Sequence, residues 1–137
     1  MSTTAKRPFE FRLDMASGVP VYRQIIDQVT GGMAAGTLAP GDQLPTVRQV
    51  AVDLSINPNT VVRAYRELEI REVLETQQGT GTFISRKKIK QDEVERRRQL
   101  ARIVSDFVAR AGAAGFTLEE LREELDDRHN GSEKKRR

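Results

Sequence analysis

The stretch from Pro45 to Ser85 constrains the fold more than any other part of the chain. It sets two short helical patterns either side of Ser55-Ile56 and follows them at once with a glycine-punctuated pair of β-like runs. In TVRQVAVDL, Thr46 and Gln49 have the spacing of a capping box, and Val47, Val50, Ala51 and Leu54 share one face. In INPNTVVRAY, Asn57 suits an N-cap, and Pro58 suits the first helical position, where a missing N–H costs nothing. Val61, Ala64, Tyr65 and Leu68 then make an inward stripe, so a third helix is predicted to about Arg71. VLETQQGTGTFIS reads as a hairpin turning at Gln78-Gly79-Thr80-Gly81, because glycine supplies the positive φ that tight turns need.

Phe9, Phe11 and Leu13 alternate with polar residues, which predicts a short half-buried strand before Ser17-Gly18. Val21, Ile25, Val29 and Met33 predict a first amphipathic helix closed by Gly36, and residues 39–42 a loop. After Lys87, Lys88 and Lys90, read as a solvated linker, Leu100, Ile103, Val104, Phe107, Val108 and Ala111 share one face of a fourth helix. Gly112 to Gly115 are expected to break it. Thr117 and Glu120 again have capping-box spacing, and Leu118, Leu121 and Leu125 mark a short final helix. The expected organisation is a domain over 9–86, a helical region over 87–128 and a disordered charged tail over 129–137.

Composition removes several functions. With no cysteine, no thiolate site can form, and the one histidine, His129, lies in the polar tail, so no metal or cofactor is expected. No nucleophile and base pair stands out, so the chain does not read as an enzyme. The acidic pairs Glu119-Glu120, Glu123-Glu124 and Asp126-Asp127 fit a solvated helix face better than a carboxylate dyad. The start lacks the apolar run of a signal peptide, and no segment suits a bilayer, so a cytoplasmic protein without a membrane partner is expected. A net charge of +3 favours polyanions only mildly, which leaves the placement of the cations to decide.

Two short helices with a tight link fit a helix-turn-helix whose second helix reads a groove. The inward stripe leaves Asn57, Asn59, Thr60, Val62, Arg63 and Arg66 outward. Asparagine can bond adenine at two atoms, threonine a thymine methyl or a phosphate, and arginine guanine or phosphate. Arg48, in the first turn of the preceding helix, can clamp backbone or read a base, and Gln78, Gly79 and Thr80 form a wing tip suited to the minor groove. Each piece alone has an ordinary structural explanation as a cap, a turn or a linker. Their order is what selects the reading.

That order, in PVYRQI, GTLAPGDQLPTVRQVAVDLSINPNTVVRAYRELE and GTGTFIS, closely resembles the winged helix-turn-helix domain of GntR-type bacterial transcription regulators. The likeness covers about Phe9 to Arg86. The NTVVRAYRELE form and the two-helix tail look most like the YtrA-type branch, with its short dimerising C-terminal region. The resemblance implies a mainly α fold with a small β-wing. It also implies a dimeric, sequence-specific DNA-binding regulator, a repressor on an inverted-repeat operator, in a family whose members can respond to small molecules. It places DNA contacts on Arg48, Asn57, Asn59, Thr60 and Arg63 and on the wing around Gly79; Thr46, Pro58, Gln78 and Thr80 complete the candidate DNA-binding set beside them. Pro58 stands where some branches carry a base-contacting arginine, and Glu72 where the family usually has glycine.

A homodimer would bury Leu100, Ile103, Val104, Phe107 and Val108 with Leu118, Leu121 and Leu125, a stripe for which the chain has little cover of its own. The rival from another class is a winged-helix adaptor that binds protein. The absence of exposed aromatic anchors in the pattern argues against it, and the arginines favour nucleic acid.

Overall fold

The computed structural model describes residues 9–87 and 92–136 of the 137-residue chain, with side chains to residue 131. Lys88 and Lys90 of the expected linker lie outside the described residues. The chain divides after Lys87 into two units.

The first unit runs through a 3-10 turn (Met15–Ser17), α1 (Val21–Ala35), β1 (Gln43–Leu44), α2 (Val47–Leu54), α3 (Pro58–Ile70), β2 (Leu74–Gln77) and β3 (Gly81–Ile84). The strands form one antiparallel sheet in the order β1-β3-β2. Leu74 lies opposite Ile84 and Gln77 opposite Gly81, while Gln43 faces Phe83 from the other edge. This is a winged helix. Its core takes Ile25, Ile26 and Val29 from α1, Val50 from α2, and Val61, Ala64 and Leu68 from α3; Leu44, Leu74 and Ile84 close the sheet side. Burying each large aliphatic side chain contributes about 1.5 to 3 kcal/mol. The α3 stripe falls inward as its spacing predicts, but on α1 Met33 is 38 % exposed while Ile26 and Gly32 are buried. Gly32 makes room there: a Cβ would sit 3.1 Å from Leu38 Cδ1 and 3.2 Å from Phe9 Cε1, and those side chains would have to give way by a few tenths of an ångström.

The strand expected over Phe9, Phe11 and Leu13 does not form. Phe11 is buried and packs edge-on against Phe9, with centroids 4.9 Å apart, so the alternation reads the burial correctly. The backbone finds its partners in α1 side chains. Gln28 accepts from the Arg12 N–H at 2.9 Å and donates to the Arg12 carbonyl at 2.6 Å; Gln24 treats Asp14 alike at 2.8 and 3.0 Å. Two glutamine amides thus stand in for a neighbouring strand. The opposite correction applies at β1. Its two residues lie between Pro40-Gly41 and Pro45, too short a run to carry a period.

Both helices of the central pair end in the same hydrogen-bond motif. After α2, Ile56 N donates to Ala51 O and Ser55 N to Val52 O; after α3, Val73 N donates to Leu68 O and Glu72 N to Glu69 O. The motif requires a left-handed residue, and here Ser55 (φ 53°) and Glu72 (φ 62°) occupy it in place of glycine. Glu72 partly offsets the strain by an exposed ion pair, Oε1 to Lys87 Nζ at 2.8 Å, which solvent screens. That pair also raises the Lys87 pKa, through the hydrogen bond first and the charge second, so Lys87 is tied to the fold where a free linker lysine was expected. Glu72→Gly should stabilise the first unit by about 1 kcal/mol, a rise of about 4 to 8 °C in its thermal midpoint. An unchanged or lowered midpoint would show that the left-handed geometry carries no strain.

The second unit holds α4 (Glu93–Ala113) and α5 (Leu118–Arg136). Asp92 caps α4 by accepting from the Val94 N–H at 3.1 Å. Gly112 continues the helix, and the chain turns at Gly115 (φ 91°), where Phe116 N reaches Ala111 O. Thr117 and Glu120 complete the capping box in both directions, at 3.2 and 3.3 Å. The last helix is longer than expected: it continues past Arg128 to Arg136, through most of the segment read as a disordered tail. Glu, Lys and Arg are good helix formers, no proline intervenes, and the single Gly131 costs only about 1 kcal/mol.

Candidate nucleic-acid interface

The first helix of the motif is held at its start by Thr46, whose Oγ1 accepts from the Gln49 N–H at 3.1 Å. The return half of this box is absent, since the Gln49 side chain donates to Asp53 Oδ1 at 2.7 Å instead. Arg48 follows Thr46 in the first turn of α2 and is exposed, with no hydrogen bond or ion pair among the described residues. Asn57 caps α3 through Oδ1, which accepts from Asn59 N–H at 2.9 Å, and Pro58 occupies the first helical position. The cap uses the carbonyl of Asn57 and leaves its amide free to donate.

Tyr65 locks these two starts together. Its hydroxyl donates to the Pro45 carbonyl at 2.7 Å, and burial pushes its pKa far above the ordinary phenol range. It is therefore a neutral donor at any physiological pH. Because Pro45 immediately precedes Thr46, this bond sets where Arg48 starts relative to α3.

Along the outer side of α3, Asn59, Arg63 and Arg66 are exposed and Thr60 and Val62 half-buried. Asn59, Val62, Arg63, Arg66, Glu67 and Ile70 line a shallow open groove on this face. Glu67 is already paired with Arg71 at 2.9 Å. Arg63 rests on α1: its guanidinium carbon lies 3.7 Å from the centroid of the Tyr22 ring. The sequence patterns gave no role to Tyr22, because nothing local marks a contact between helices so far apart in the chain.

The wing turns at Gln78, Gly79 and Thr80, all exposed, with Thr80 N donating to Gln77 O at 2.9 Å. Gly79 has φ 79° and a Cβ there would meet nothing within 4 Å, so it is the backbone geometry, and no steric neighbour, that favours glycine. Gln43 of β1 braces the tip by donating to the Thr80 carbonyl at 3.1 Å, another contact the sequence did not signal. Thr46, Arg48, Asn57, Pro58, Asn59, Thr60, Arg63, Gln78, Gly79 and Thr80 thus all belong to one compact unit, at two helix starts, one outer helix face and one hairpin tip.

Among the exposed large hydrophobic residues of the winged unit none is aromatic. The α4 and α5 stripe is different. Leu100 is 60 % exposed, Ile103 58 %, Phe107 43 % and Leu118 60 %. Val104 and Leu125 are exposed too, Val108 and Leu121 are half-buried, and Ala111 alone is buried among the described hydrophobic residues of this unit. No described helix is long and apolar enough to cross a membrane.

Residues 21–84 match the family of bacterial regulatory proteins called the gntR family. The chain is 40% identical over 108 residues to the uncharacterized HTH-type transcriptional regulator YhcF of Bacillus subtilis (strain 168), covering 78% of this chain and 88% of that protein. It is 40% identical over 117 residues to the HTH-type transcriptional repressor YtrA of the same organism, covering 82% and 86% respectively. Among solved structures it is similar to YtrA from Sulfolobus acidocaldarius, a GntR-family transcription factor, with a TM-score of 0.53 and 30% identity over 72% of this chain and 97% of that one.

Proposed function

Because this chain belongs to the GntR family of bacterial regulatory proteins, we propose that it acts as a homodimeric repressor on an inverted-repeat DNA operator. In this reading α3 enters the major groove and the β2–β3 tip the adjacent minor groove. The observation that carries it is the state of the front of the winged unit. Arg48, Asn59, Arg63 and Arg66 are exposed on elements fixed by a buried core and by the Tyr65 to Pro45 bond, and none of the four side chains spends a donor on the described protein. Donors held in place and left unpaired suit phosphate and base edges.

One such module reads only a few base pairs, and two-fold symmetry doubles the contacts. The exposed stripe on α4 and α5 gives a second copy an apolar surface to cover, consistent with a dimer. Repression then follows by occupying the promoter in competition with polymerase, in the cytoplasm. The reading includes tuning by a small-molecule effector of unidentified chemistry, as the family resemblance implies. A protein-binding adaptor is the weaker reading, since aromatic anchors are absent from the described exposed surface of the winged unit.

Footprinting on the promoter upstream of the protein's own coding sequence tests the geometry. Two symmetric protected half-sites with flanking minor-groove protection are expected. A single asymmetric patch would rule out the two-fold arrangement.

A further inference from the structure

We propose that Tyr22 is a positioning residue for operator recognition: its ring holds the Arg63 guanidinium in place so that the edge of the group, with all its donors, is presented to the groove. The inference rests on the major-groove reading above. Tyr22 lies in the first turn of α1, half-buried and packed on the core, and Arg63 lies one turn beyond the start of α3, exposed to solvent. The 3.7 Å separation places the cation directly over the ring face.

What the ring does not do is as informative. A carboxylate partner would hold an arginine through its N–H groups and so consume the donors that read DNA; a π-face holds it through the flat side and consumes none. The carboxylate best placed to compete, Glu67 at i+4 from Arg63, is paired with Arg71. Asp27, on α1, is paired with Arg23 at 3.4 Å. No hydrogen bond or ion pair of Arg63 occurs among the described residues. The flexible side chain is thereby ordered before DNA arrives, which lowers the entropy lost on binding.

The test uses the full chain and a duplex enriched by it from a randomised pool. Tyr22→Leu should weaken binding about threefold to tenfold, and Tyr22→Phe, which keeps the ring face, should stay within about twofold. In an Arg63→Met background, Tyr22→Leu should change affinity by less than about twofold. Undiminished loss in that background, or a Phe variant as weak as the Leu variant, would overturn the role. A readout independent of variant folding is the ring-current shift of the Arg63 δ-methylene protons in the free native protein. A clear upfield displacement is expected, and random-coil positions would overturn the proposal. If the native protein enriches no duplex at all, the operator reading itself fails and this role fails with it; failure of the variants alone overturns only the role.

Discussion

Phe107→Asp is expected to turn the proposed dimer into monomers at micromolar concentration, with the winged unit still folded. Phe107 sits mid-helix on α4, between Ile103 and Val104 on one side and Val108 and Ala111 on the other, and 43 % of its surface is open in the single chain. Apolar area removed from water contributes about 25 cal/mol per Å², and truncating a buried Phe typically costs about 3 to 5 kcal/mol. Asp adds the cost of placing a charge against that surface. The sum corresponds to a loss of at least about two orders of magnitude in the association constant. The core cluster of the winged unit does not include Phe107, so its cooperative unfolding should persist. Sedimentation velocity of native and variant protein is the direct check. A variant that stays dimeric would place the interface elsewhere and leave the exposed stripe unexplained.

Arg48→Ala should cost about 1 to 3 kcal/mol of operator affinity if the guanidinium reads a base, with relaxed preference at one position of each half-site. The alternative has a different signature. If Arg48 only clamps a phosphate, binding weakens about evenly on all sequences and the slope of log affinity against log salt becomes shallower by about one unit. Arg48 is exposed and bonds nothing among the described residues, so neither outcome should come with a change in stability. Selection on a randomised pool at two salt concentrations separates the two cases. An unchanged affinity on every duplex would remove α2 from the interface.

The helix-turn-helix was legible because its information is local. Thr46, Asn57 and Pro58 announce two helix starts by side-chain chemistry, and the structure shows both caps bonded as their types imply. The inward stripe of α3 and the glycines of the wing follow from period and φ in the same way. The left-handed site at Glu72 was legible only through the family resemblance, since glutamate gives no local hint of it; the equivalent site at Ser55 went unread. What the sequence hid is non-local. The N-terminal segment has a strand's alternation, but whether it pairs with a strand or with Gln24 and Gln28 is decided across the fold. β1 exists because it pairs with the side of β3 that β2 does not cover. The contacts of Tyr22 with Arg63 and of Gln43 with Thr80 join parts of the chain with no common period.

The central claim is that two copies of this unit present α3 to successive major grooves of one duplex. Its most direct test is selection by the purified full chain from a randomised duplex pool at low salt, followed by affinity measurement across a salt series. An inverted repeat whose half-sites are centred one helical turn, or a whole multiple of it, apart should be enriched, with affinity falling steeply as salt rises. Enrichment of no sequence at the lowest salt, with the protein folded and dimeric, would contradict it.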